Sequence, residues 1–256
     1  NDSFKPVTKY FDRLTRPEQI LQSLPQAIQT MLDPADCGPA CLSLCQDVQG
    51  ETFEYPEEFF KERVHNIRRP KPDDFQIKQA VERIKNSKNP IIISGGGVFY
   101  SDAMEELSNF AVKHNIPVTQ TVMGYSTMKR DHSHFVGPIG GLGGKAANNL
   151  AKETDLAICI GTKLADFTTG SWANFENPQF KLVSINIARH DANKHLAEAV
   201  IGDAKVSLIE LSNALGDWRS SDSWHKKSQD ELKSWNEYVD KAVSYTHLRA
   251  HETLTD

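Results

Sequence analysis

The sequence predicts an α/β protein: a doubly wound parallel sheet preceded by a partial α/β unit. Three observations lead there. From residue 72 to about residue 215, apolar runs of strand length alternate with helical stripes. The runs are continuous rather than alternating, as in residues 90–93 (PIII), which suits strands covered on both faces. Several of them run into glycine-rich turns. The fullest case is residues 136–161, a glycine-rich loop leading to an Ala/Asn-rich helix and then a buried strand ending in glycine.

Residues 1–54 read as strand, helix, strand. VTKYFDRL (residues 7–14) alternates and is rich in aromatic and β-branched residues. Arg16-Pro17-Glu18 opens a helix with Ile20, Leu21, Leu24, Ala27, Ile28 and Met31 at helical spacing, and Asp33-Pro34 stops it. Gly38-Pro39 then turns the chain into ACLSLCQDV. This unit has too few strands for a complete sheet and reads as the last βαβ piece of a domain that begins earlier. Residues 55–71 are charged and proline-flanked, and read as a short helix and a linker.

In the second part, Phe75, Ile77, Ala80, Val81 and Ile84 make a helical stripe, followed by a strand at 90–93 and Ser94-Gly95-Gly96-Gly97. Ser101 is placed to cap the next helix, with Met104, Leu107, Phe110 and Ala111 on its core face, acidic residues early and Lys113 and His114 in its last turn. Further strands are expected at 116–121, 155–161, 181–187 and 199–201. Asp203 caps a closing helix bearing Val206, Leu208 and Ile209. Residues 216–243 add one more helix, whose face of Leu232, Trp235, Tyr238, Val239 and Ala242 is expected to pack on a following domain. Both ends read as non-native: the chain opens at Asn1 without Met, and residues 244–256 (SYTHLRAHETLTD) lack periodicity.

The 256 residues suffice for one sizeable domain plus part of another. A hydrophobic content of 39% and a charged content of 25% are ordinary for a globular protein. A formal charge of −5 argues against nucleic acid or anionic membrane as main partner. No apolar run approaches the roughly 20 residues that span a bilayer, and no secretory signal opens the chain. Cys37, Cys41, Cys45 and Cys159 read as small buried thiols in a reducing cytoplasm, since residues four apart on a strand do not chelate easily.

Ligands of open α/β sheets bind beyond the carboxyl ends of the strands. Three glycine-marked segments fall there: residues 94–97, residues 137–144 and Gly161-Thr162. The first lacks full G-x-G-x-x-G spacing, so tight turns and a ligand cradle both remain open. Asp166, Thr168 and Thr169 either bond a ribose or phosphate or cap a turn. Asp131, His132 and His134 supply too few ligands for zinc and read as ordinary loop residues. Ser94 and Ser171 lack a nucleophile-elbow context.

Taken together, residues 89–97 (NPIIISGGG), 116–124 (IPVTQTVMG), Asp131-His132, 137–149, 155–161, 166–170 (DFTTG), 183–187 and 201–203 resemble, in this order, the Rossmann-like central domain of thiamine-diphosphate-dependent enzymes. The likeness is to the acetohydroxyacid synthase and pyruvate oxidase group and covers residues 72–215. Upstream, GPACLSLCQDVQGE resembles the end of that family's pyrimidine-binding domain, so residues 1–54 are expected to be its C-terminal part. Residues 4–64 look most like a hydrolytic branch of the family acting in inositol breakdown. The resemblance implies opening of a cyclic 1,2-diketone substrate, with thiamine diphosphate as electron sink and Mg2+ as its partner ion, in a homodimer or larger assembly. The family's activating glutamate is expected upstream, and its Gly-Asp-Gly…Asn-Asn diphosphate motif downstream. Asn148-Asn149 has no Gly-Asp-Gly before it, so no residue here is assigned a catalytic or metal role. Flavin-dependent relatives hold FAD on central-domain loops. By resemblance this points to Gly95, Gly96, Gly97, Gly161, Thr162, Asp166 and Thr169, although the hydrolytic branch is not expected to need flavin. The loop Gly141-Leu142-Gly143 is expected to face the active-site cleft. The readings carried forward are a piece of a thiamine-dependent C–C hydrolase or carboligase, inactive alone; an autonomous FAD- or nucleotide-binding module; and a ligand-free scaffold.

Overall fold

The computed structural model describes residues 1–252, with side chains described for residues 1–243. The expected non-native tail, residues 244–256, therefore falls outside the described side chains. The chain divides into two units, Asn1–Arg69 and Pro70–Asp256.

In the first unit, β1 (Tyr10–Leu14) and β2 (Ala40–Leu44) pair in parallel, Tyr10 opposite Ala40 and Leu14 opposite Leu44, joined through α1 (Ile20–Leu32). A parallel pair needs such a crossover. Asp12 accepts a 2.5 Å hydrogen bond from the Ser23 hydroxyl, which ties α1 to β1. One helix covers a two-stranded pair on one side only, and the cysteines show it: Cys37 is exposed and Cys41 and Cys45 are half-buried. The expectation of buried thiols holds for Cys159 alone, in the second unit, where burial pushes the thiol pKa up. The 55–71 segment contains only a short 3-10 turn, Glu57–Phe60.

The second unit is a parallel sheet flanked by helices. Its elements are α2 (Asp74–Lys85), β3 (Pro90–Ser94), α3 (Gly96–Tyr100), α4 (Met104–His114), β4 (Val118–Gln120), β5 (Phe135–Pro138), α5 (Lys145–Glu153), β6 (Leu156–Ile160), α6 (Asp166–Thr169), β7 (Lys181–Asn186), α7 (Arg189–Ala192), β8 (Glu198–Ile201), α8 (Ala204–Leu215) and α9 (Asp222–Glu252). Among the described residues the sheet has six strands in the order β5-β4-β3-β6-β7-β8. Every residue of β3 and β6 is buried. Period-two alternation sends Ile92, Ile158 and Ile160 into one core with α2, α4 and α8, and Ile91, Ile93, Ala157 and Cys159 into another with α5 and α9. Asp73 caps α2 through the Phe75 N–H, and Asp203 caps α8 through the N–H groups of Lys205 and Val206, as the sequence signals predict for Asp203.

Four expectations change. β5 is an additional strand inside the glycine-rich run, bulged where Val118 pairs with Phe135 but Thr119 with Gly137 (φ +102). Phe75 is 67% exposed, leaving Ile77, Ala80 and Ile84 as the buried stripe of α2. Ser101 ends α3 instead of capping α4, whose N-cap is Ala103. Finally, α9 finds a partner within the chain. Leu232 and Trp235 pack on the second core, and Trp224 is buried there with its indole N–H on the Pro90 carbonyl at 2.8 Å. The small residues Ala146, Ala147 and Ala151 of α5 permit this approach; further along α9, Tyr238 and Ala242 are exposed.

Ile158→Ala is expected to lower the stability of the second unit by about 3–4 kcal/mol in urea unfolding. Phe75→Ala, at an exposed position, is expected to stay within about 0.5 kcal/mol of the parent; a loss matching that of Ile158→Ala would place Phe75 back in the core.

Candidate functional site

The strand order has one switch point. From β3 the chain moves outward through β4 to β5, then returns to β6 on the other side of β3. The loops leaving β3 and β6 thus flank the crevice where such sheets bind ligands. Here the two loops touch through their backbones. The Gly95 N–H donates to Ile160 O at 2.8 Å and the Gly97 N–H to Gly161 O at 2.9 Å. A Cβ on Gly97 would stand 2.6 Å from Gly161 Cα, and one on Gly161 (φ +60) would stand 2.5 Å from Gly97 Cα. A Cβ on Gly95 would meet Gly161 O and lie 2.6 Å from Thr162 Cβ. Gly96 faces elsewhere, with its Cβ position 3.0 Å from Met123 O in the loop after β4.

The remaining sequence-marked residues form a second group. The Gly141 N–H donates to Phe167 O at 2.7 Å, and a Cβ on Gly140 (φ +103) would meet the same carbonyl. A Cβ on Gly143 would stand 2.5 Å from Ile139 C, and one on Gly144 would stand 2.9 Å from Trp235 Nε1. Asn148 clamps this loop: its Oδ1 accepts from Gly140 N at 2.9 Å and its Nδ2 donates to Gly140 O at 3.0 Å. Thr169 is buried, and its hydroxyl oxygen accepts the Trp172 N–H at 3.3 Å, so this residue closes a turn. The Thr162 hydroxyl accepts the Leu164 N–H at 3.3 Å, while Asp166 is exposed on the four-residue α6. The structure therefore joins Gly95, Gly97, Gly161 and Thr162 in one cluster, and Gly141 with the segment bearing Asp166 and Thr169 in another.

These residues do not fit a metal–diphosphate group. Asn148 is committed to Gly140, and Asn149 Nδ2 donates to Glu231 Oε2 at 2.8 Å. Among the described residues no group of three or more His, Cys, Asp or Glu could hold a metal ion.

His132, His134 and His225 sit apart, where α4, β5 and α9 meet. His134 stacks on His225 with ring centroids 4.2 Å apart, its Nε2–H donating to Asn115 Oδ1 at 3.2 Å and its Nδ1 accepting from the Ser133 hydroxyl at 3.0 Å. That pattern uses the neutral tautomer fully. Burial and the neighbouring His225, His132 and Arg219 push the His134 pKa down to about 4. Burial also lowers His132, His225 and His114; the last is enclosed between Trp218 O (2.8 Å) and Ser212 Oγ (3.1 Å).

What the sequence reading did not mark is the apolar character of the carboxyl-end loops. Tyr100 after β3, Met123 and Tyr125 after β4, Leu142 after β5 and Phe167 after β6 are each 70% exposed or more. Large apolar residues repeatedly placed in the short segments that follow the strand ends were the available signal.

Two outcomes follow from this geometry. Gly97→Ala is expected to cost about 2 kcal/mol or more, because its Cβ collides with backbone that has nowhere to move, whereas Gly141→Ala should stay within about 0.5 kcal/mol, because its added Cβ would stand 3.9 Å from the nearest atom, Phe167 O. Urea unfolding of both variants checks this. A folded-state pKa near 4 at His134, against an ordinary value of 6.5, means that unfolding takes up a proton. Its contribution is full above about pH 6.5 and shrinks as pH falls toward 4. Thermal unfolding should lose stability over that window, and less so in His134→Gln.

The comparisons with known proteins agree with the fold. The family described as "Thiamine pyrophosphate enzyme, central domain" matches residues 77–211. The chain is 42% identical over 254 residues to a 3D-(3,5/4)-trihydroxycyclohexane-1,2-dione hydrolase of Clostridium perfringens (strain 13 / Type A), covering 99% of the chain and 40% of the relative. It is 44% identical over 254 residues to the protein of that name from Clostridium botulinum (strain Alaska E43 / Type E3), with the same coverage of 99% and 40%. With 3D-(3,5/4)-trihydroxycyclohexane-1,2-dione hydrolase 1 of Bacillus cereus it shares 46% identity over 223 residues, 86% of the chain and 35% of the relative. The chain thus spans about two fifths of the length of these relatives. With a parallel sheet flanked by helices over the matched residues, the chain belongs to the thiamine pyrophosphate enzyme family and carries its central domain.

Proposed function

We propose that the parent of this chain is a thiamine-diphosphate-dependent hydrolase that opens a trihydroxylated cyclohexane-1,2-dione in inositol breakdown. One observation carries the reading: identity of 42–46% with relatives of that name extends over 86–99% of the chain, well beyond the family match at 77–211. The reaction balances with water alone. The bond between the two carbonyl carbons breaks; one carbon gains the water oxygen and becomes a carboxylate, and the other gains hydrogen and becomes an aldehyde. The product is an open six-carbon acid that keeps three hydroxyls.

Bound thiamine diphosphate supplies the electron sink for such a cleavage. Among the described residues no group of three or more His, Cys, Asp or Glu could hold a metal ion, and the reading assigns both thiamine diphosphate and Mg2+ to other segments of the parent. What the chain contributes is a rigid platform. The Gly97–Gly161 contact and the Asn148 clamp hold the carboxyl-end loops, and these present Tyr100, Met123, Tyr125, Leu142 and Phe167 outward for contact with the rest of the parent. The parallel β1–α1–β2 unit supports assigning residues 1–54 to the end of the pyrimidine-binding domain. The reading includes at least a dimeric parent, because the family's cofactor lies between subunits, and a cytoplasmic location, which suits four free thiols. No helix among the described residues is long and apolar enough to cross a membrane.

The full-length parent, supplied with thiamine diphosphate and Mg2+, is expected to convert the dione in 18O-labelled water to an acid carrying one 18O in its new carboxylate. Chelation of Mg2+ should abolish turnover and its return restore it, and the present chain alone should show none. Absence of acid, or joining of pyruvate units instead, would replace hydrolysis by the carboligase reading.

A further inference from the structure

A cleft of the second unit lies at the opposite end of the sheet from the glycine loops. It has a volume of about 630 Å³ and is walled by the end of α2, the turn into β3, and the amino ends of β6 and β7. Its lining is polar and rich in planar amides, with Gln79, Asn86, Asn89, Asn177 and Gln179 facing it. The charges are unevenly committed. Arg83 is paired with Glu198 at 2.9 Å. The Asp155 carboxylate accepts from the Ser87 hydroxyl at 2.5 Å, from Lys88 N at 2.8 Å and from Asn89 N at 3.0 Å. That leaves the ammonium groups of Lys88 and Lys181, which enter no ion pair among the described residues, against the single carboxylate of Glu82.

We infer that this cleft binds a small polyhydroxylated carboxylate, the chemical class of the ring-opened product; the inference rests on the proposed function for that choice. Two free ammonium groups suit one carboxylate, and hydroxyls need neighbours that both donate and accept, which amide side chains do. The cleft is also preorganised. Asp155 fixes the 87–89 turn through three hydrogen bonds, and the same residue's carbonyl accepts the Lys181 N–H at 2.9 Å, so both lysine-bearing segments are held by one residue. A ligand here acts as an effector remote from the carboxyl-end loops, reporting product level to the central domain.

Calorimetry of the present chain with D-glucuronate, D-glucuronamide and propionate separates the contributions. Glucuronate is expected to bind at least tenfold more tightly than glucuronamide, which lacks the charge, and than propionate, which lacks the hydroxyls. The exposed substitutions Lys88→Gln and Lys181→Gln together should weaken glucuronate at least tenfold while leaving thermal unfolding unchanged. Equal binding of all three compounds, no binding at millimolar concentration, or an unaffected double variant would overturn the assignment. None of these results depends on turnover by the parent, so failure of the cleft and failure of the proposed hydrolysis are told apart.

Discussion

The second unit is organised around a backbone-to-backbone contact at the switch point of its sheet. β3 and β6 lie side by side at the centre, fully buried, and the chain must leave both at the same edge. Two loops then compete for one crevice. They share it because Gly95, Gly97 and Gly161 carry no side chains, so the Gly97 amide reaches the Gly161 carbonyl. The start of α3 and the Thr162 turn follow from that contact. The neighbouring loops repeat the device: Gly96 lies under Met123 O, and Gly140 and Gly141 lie against Phe167 O. The carboxyl end of the sheet is thereby a knitted surface whose apolar side chains point away from it.

The strands at the centre of the sheet were legible because their sequences are continuously apolar, and continuous burial needs nothing more specific. Asp203 was legible because an N-cap is a local interaction. The misreadings have physical causes. β5 is short and bulged at Gly137, so it carries a turn's composition on a strand. Phe75 sits in the first turn of α2, where the apolar stripe begins one residue pair later at Ile77. The face of α9 looked unpartnered because its partner, α5, is an alanine-rich helix some eighty residues away whose small side chains gave no sign of what they would admit.

The candidate site was half legible. Glycine signals close approach but not by what, and a phosphate and a second backbone leave the same mark in a sequence. Thr169 and Thr162 show the same degeneracy, since hydroxyls of the kind that face a ribose also accept the N–H groups of turns, as both do here. The resemblance to thiamine-dependent enzymes survived because it rested on the order of many weak segments rather than on any one. The amino-end cleft left no sequence signal at all: its walls come from three separated stretches, and their polar residues look like ordinary surface until Asp155 is seen holding two of them together.

The most direct measurement is hydrogen exchange at the Gly97 amide in the ligand-free chain. If its hydrogen bond to Gly161 O closes the crevice, this amide exchanges as slowly as those of β3 and β6, and adding FAD or ADP leaves the rate unchanged. Fast exchange at Gly97 that slows only when a nucleotide is added would contradict the account, and would return the glycines to the role of a ligand cradle.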